Sequence, residues 1–125
     1  MIHYGNNGGS GASFFPARAT RLYRKSDGRR SSRHLLHGFP DNAGSFRHQL
    51  PALAEAGFRA ISVTLRGYEC ASIPENGDYS VEAIASDIYA VIDQLDQGPV
   101  HLVGHDWGAA IAYNAAAAAP HILKA

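Results

Sequence analysis

From residue 34 onward apolar and polar positions fall into blocks, and each block has the period of one element. "HLLH" (34–37) is a short strand candidate running into Gly38. "LPALAEAG" (50–57) puts Leu50, Leu53 and Ala54 on one helical face, with Pro51 near the start and Gly57 as a stop. "FRAISVTL" (58–65) is β-branched and apolar, which predicts a strand. In "SVEAIASDIYAVIDQL" (80–95) Val81, Ile84, Ala85, Ile88, Val91, Ile92 and Leu95 share a helical face, and Ser80 is the expected N-cap. "GP" breaks the chain at 98–99; "VHLVG" (100–104) predicts another strand, and "GAAIAYNAAAAA" (108–119) a helix ending at Pro120. Strand and helix alternate three times in short steps. That order predicts an α/β fold with a parallel sheet, because each return crossover needs a helix. Helices lying on the sheet also account for the nearly continuous apolar strands.

The first 33 residues differ. "GNNGGSGAS" (5–13) has linker composition, and the stretch holds seven of the eleven Lys and Arg residues but one of the eleven acids, Asp27. We expect 1–33 to be a basic, Gly-rich, poorly ordered leader and 34–125 to be the folded part. The formal net charge is zero, and neither aromatic interleaving nor a known nucleic-acid module accompanies the basic arm, so no nucleic-acid partner is expected. No apolar run approaches the ~18–20 residues of a membrane span, and the start lacks the apolar core of a secretory signal. Cys70 alone cannot form an intrachain disulfide, which fits a reducing, cytoplasmic setting. Metal-ligand clusters and a dinucleotide glycine fingerprint are missing, and no cofactor is expected.

Three polar, glycine-containing segments follow the three predicted strands: His37-Gly38-Phe39-Pro40, Arg66-Gly67-Tyr68 and Gly104-His105-Asp106-Trp107-Gly108. Parallel strands put their carboxyl ends on one edge, where open α/β sheets bind ligands, so these segments should converge. The third has the form Gly-x-nucleophile-x-Gly of a strand-to-helix elbow, with aspartate in the usual serine position. At such a corner the helix N-terminus favours negative charge. A carboxylate ionised at neutral pH can attack saturated carbon without a base. Read by itself, such an aspartate is usually no more than an N-cap for the alanine-rich helix.

With "LLHGFPDNAGSFRHQLPALAEAGFRAISVTLRGYE" and "VHLVGHDWGAAIAYNAAA" taken together, residues 34–123 resemble the N-terminal half of an α/β-hydrolase of the epoxide hydrolase type. The resemblance implies that Asp106 attacks an epoxide or related small electrophile. The resulting alkyl-enzyme ester is then hydrolysed by water to a diol. It implies an oxyanion hole made by the backbone N–H groups of Phe39 and Trp107. His37, Gly38, Pro40, Gly104, His105 and Gly108 would shape the site, with His37 structural rather than basic. Tyr68 either lines the site or packs, Arg66 ties loops together, His101 packs, and Cys70 is a spectator. Haloalkane dehalogenases share the Asp-Trp pair but commonly carry Asn where this chain has Phe39, and haloacetate dehalogenases usually carry Arg where it has Trp107.

The family's further acid, histidine base and cap tyrosines have no counterpart after Asp106, where His121 and Tyr113 fall at the wrong places. "SSRHLLHG" is also shorter in apolar residues than a buried central strand should be. The expected core is therefore incomplete, lacking cap and C-terminal strands, as a truncated product would be. Turnover by this chain alone is not expected, and the last strand's open edge is a site for self-association. A noncatalytic interaction module on the same scaffold is the alternative class.

Overall fold

The structure, a computed structural model, describes residues 18–23, 31–95 and 98–124. Seven principal elements follow one another: β1 (Arg18–Tyr23), β2 (Ser32–Leu36), α1 (Gln49–Glu55), β3 (Arg59–Thr64), α2 (Val81–Gln94), β4 (His101–Gly104) and α3 (Trp107–Ala118). Short 3₁₀ turns occupy Ala43–Phe46, Cys70–Ser72 and Pro120–Ile122.

The sheet order is β1-β3-β2-β4. Strand β2 pairs in parallel with β3 on one side (Leu36 beside Val63) and with β4 on the other (Leu36 beside Gly104). This is the predicted parallel core, and β2 is central to it.

Successive side chains of a strand face opposite sides, so β2 and β3 supply two cores at once. Leu35 and Ala60 join Leu50, with Phe46 and Leu53 packed against them, under α1. Leu36, Ile61, Val63 and Leu65 join Ala85, Ile88, Val91 and Ile92 of α2 and Ile111 and Ala115 of α3 on the other face. The predicted faces of both helices are the buried ones. Ser80 caps α2, its side chain accepting from the Ala83 N–H.

The strands bear on two expectations. Within the stretch expected as a leader, β1 pairs antiparallel with the outer edge of β3, with an irregularity between Ala19 and Arg21. Backbone hydrogen bonds make that pairing, and they need no apolar run to signal them. The rest of the leader, including the Gly-rich 5–13, lies outside the described residues. The central strand, as short in apolar residues as the sequence indicates, still takes the middle of the parallel core. It begins at Ser32, two residues before the predicted start, and buries Ser32 and His34 beside its leucines.

Candidate active site

The carboxyl ends of β2, β3 and β4 bring the three glycine-containing segments to one edge. At the end of β4 the chain turns sharply into α3 through Asp106, whose φ of 56° and ψ of −120° lie outside the regions a non-glycine residue ordinarily occupies. Such a strained residue is held by its surroundings, and such positions cluster at functional sites. The turn leaves no room for side chains on either flank. A Cβ on Gly104 would strike the Gly108 carbonyl, and one on Gly108 would strike the Leu36 carbonyl of the central strand. A Cβ on Gly38 would collide with the Asp106 side chain itself. The corner is therefore packed against the backbone of the central strand, and its Asp106 side chain against the 38–40 loop.

That contact sets the carboxylate. Oδ2 of Asp106 accepts the Trp107 N–H at 2.6 Å and the Phe39 N–H at 3.1 Å, a bond spanning 67 residues of sequence. No donor among the described residues reaches Oδ1. The Phe39 and Trp107 N–H groups hold the Asp106 carboxyl below its ordinary range, with burial opposing them and the nearby His105 adding to them. The group is ionised at neutral pH, with one oxygen tied down and the other open. The side chains of the two donor residues, Phe39 and Trp107, are 67% and 52% exposed.

Behind this pair lies His37, fully buried. Its Nε2 accepts the Leu65 N–H at 3.1 Å, which leaves the proton on Nδ1 to be donated to the Gly38 carbonyl at 3.0 Å. Burial keeps the ring neutral, opposed by the Gly38 carbonyl and Asp41. Both nitrogens are engaged, so His37 links the 38–40 loop to the end of β3. The Phe39–Pro40 peptide within that loop is cis. His105 is exposed; its backbone N–H bonds the Leu36 carbonyl, joining β4 to β2.

The middle segment completes the edge. Tyr68 sets its ring edge-on against His37, 4.6 Å between centroids at 78°. Burial and the Asp106 charge both raise its phenol. The two alternatives for Tyr68 thus coincide in one residue, which packs on His37 and feels the carboxylate. Arg66 forms a two-point pair with Asp87 of α2, Nη2 to Oδ1 at 2.6 Å and Nε to Oδ2 at 2.7 Å. It also donates to the Asp78 carbonyl at 2.9 Å. Arg66 ties loops together, as expected. Its partner escaped the sequence reading, although an acid within the Ile84–Ile88–Val91 stripe was a usable signal. Cys70 is an exposed free thiol, and His101 is half-buried. No group of three His, Cys, Asp or Glu side chains among the described residues could hold a metal ion. No helix there is long and apolar enough to cross a membrane.

Comparison with known proteins gives this geometry a family. Residues 35–125 match the family model for the alpha/beta hydrolase fold. Bifunctional epoxide hydrolase 2 of Sus scrofa is 39% identical over 92 residues, which are 73% of this chain and 17% of that protein. Epoxide hydrolase A of Mycobacterium tuberculosis is 42% identical over 82 residues, 65% of this chain and 26% of that protein. A crystal structure of an epoxide hydrolase from Vigna radiata superposes with a TM-score of 0.74 at 35% identity, covering 83% of this chain and 33% of its own. The chain thus spans a third or less of the length of each of these relatives. With the parallel core, the strained aspartate corner and the family match in agreement, this chain belongs to the α/β-hydrolase fold family.

Proposed function

We propose that the chain carries the nucleophile of an epoxide-hydrolase-type site, with Asp106 in that role. The observation that supports this most is the asymmetry of its carboxylate: Oδ2 is held by two backbone N–H groups, no donor among the described residues reaches Oδ1, and the group is ionised. A plain helix cap needs only donors from its own helix. Here the second donor comes from Phe39, 67 residues away.

In the proposed first step Oδ1 attacks an epoxide carbon, the ring C–O bond breaks, and the ring oxygen takes a proton from water. The product is an ester whose carbonyl oxygen is Oδ2, already facing the Phe39 and Trp107 N–H groups. In hydrolysis, water would attack the ester carbon, and the same two donors would stabilise the charge that develops on Oδ2. Collapse would release the diol and restore the carboxylate. Both nitrogens of His37 are occupied, so it is not the base for that second step, and the assignment to this chain is of the first. The two residues that donate to the carboxylate, Phe39 and Trp107, carry exposed aromatic side chains, which suits a small apolar epoxide. Relatives named as epoxide hydrolases support the same substrate class.

The test is intact-mass spectrometry after incubation with a reactive aryl epoxide. One adduct per chain is expected, lost in Asp106→Asn. A folded chain that stays unmodified rejects the proposal.

A further inference from the structure

The Gly38–Phe39 peptide is held at both of its ends. It is trans, so its carbonyl and its N–H point in opposite directions within one rigid plane. The Phe39 N–H donates to Oδ2 of Asp106 at 3.1 Å. On the other side the Gly38 carbonyl faces Nδ1 of His37 at 3.0 Å. A rotation of the plane that moves one of these bonds moves the other.

His37 is fixed in its turn. Its ring is fully buried, Nε2 lies 3.1 Å from the Leu65 N, and the Tyr68 ring stands edge-on against it. The Tyr68 N–H donates back to the Leu65 carbonyl at 3.2 Å, so residues 65 and 68 form one support. Backbone groups have fixed roles: a carbonyl only accepts and an N–H only donates. The neutral ring with its proton on Nδ1 satisfies both contacts. The other tautomer would set a donor against the Leu65 N–H and a lone pair against the Gly38 carbonyl, and a doubly protonated ring would keep the first of these conflicts. The Asp41 N–H also reaches the Gly38 carbonyl, at 3.0 Å. That bond lies within the loop and turns with it, whereas His37 is anchored to Leu65, just past β3.

Three hydrogen bonds therefore run head to tail. Leu65 donates to His37, His37 to the Gly38 carbonyl, and the amide of that same peptide to Asp106. In such a series each bond polarises the next, and a hydrogen bond on an amide carbonyl makes its N–H a better donor.

We infer that His37 is a positioning residue for the Asp106 carboxylate: acting through the Gly38–Phe39 peptide, its Nδ1–H aims and strengthens the Phe39 N–H that holds Oδ2. This deepens the reading of Asp106 given above and rests on it for its bearing on catalysis. Its test reads the donor and the carboxyl rather than alkylation, so the two proposals can fail separately.

The test is solution NMR of the whole chain at neutral pH, following the His37 ring nitrogens and the Phe39 and Trp107 amides. In the wild-type chain the ring should carry its proton on Nδ1, a result that needs no variant. His37→Leu removes both ring bonds. Amide exchange at Phe39 should then quicken about tenfold or more, and the Asp106 carboxyl should titrate nearer the ordinary aspartate value. His37→Asn, whose side-chain NH2 can still donate to the Gly38 carbonyl, should restore most of the protection. Trp107 is the internal control, because its N–H reaches the same oxygen from the start of α3. Its exchange should stay within about twofold of wild type in both variants. Four results would overturn the inference: a ring proton on Nε2, a folded His37→Leu with Phe39 exchange and Asp106 titration unchanged, no recovery at Phe39 in a folded His37→Asn, or equal loss of protection at Phe39 and Trp107, the mark of a ring that only supports the fold.

Discussion

Gly108 is where a single atom decides most. Its missing Cβ is the space in which the Leu36 carbonyl sits, and that carbonyl belongs to the central strand, which cannot step aside. Gly108→Ala should therefore destabilise the chain by about 3 kcal/mol, read as a lowered urea midpoint. It should also slow alkylation of Asp106, because the corner that presents the carboxylate must open. Much at this scale was legible beforehand: glycines at 104 and 108 around an acid imply a crowded corner, and His37-Gly38 after a strand implies a loop that approaches it. The tautomer of His37 was not legible. It depends on the Leu65 N–H, 28 residues away, meeting Nε2.

Among the elements, α2 and the β3–α2 connection are held together by the Arg66–Asp87 pair, whose side chains are 10% and 3% exposed. Removing one partner leaves a charge without its counter-ion in a nearly dry site. Asp87→Ala should cost about 3–5 kcal/mol, and the double variant Arg66→Met with Asp87→Leu markedly less. Chemical denaturation of the three chains checks both. Ser80→Ala removes the acceptor for the Ala83 N–H and should cost about 1 kcal/mol by the same measurement. Helical periodicity made α1 and α2 readable, since burying one face imposes a 3.6-residue pattern. Strand β1 was unreadable for the converse reason. An edge strand is recruited by the hydrogen-bonding groups of its neighbour, and nothing in "RATRLY" has to announce it.

For the molecule as a whole, acid is the sensitive direction. His34 is fully buried in the central strand, and neither ring nitrogen has a hydrogen-bond partner among the described residues. Burial, with Arg59 adding to it, lowers its pKa from 6.5 to about 4. Between those values the unfolded chain binds a proton that the folded chain refuses, so stability falls as pH drops through that window. His37, also lowered, acts in the same sense. His34 by itself should cost about 2 kcal/mol between about pH 7 and pH 5, and His34→Leu should flatten the urea midpoint over that range. A histidine in a short strand gave no sign of this burial in sequence, because depth belongs to the assembled sheet.

The central claim is that the fold singles out one carboxylate and frees one of its oxygens. Peptide mapping after limited reaction with an aryl epoxide tests it most directly, by comparing ester formation at Asp106 with that at the exposed acids Asp41, Glu75 and Asp78. The account predicts that nearly all adduct sits on Asp106 in the folded chain and that the preference disappears in urea. Adducts spread evenly over the exposed acids, or absent from Asp106, would contradict it.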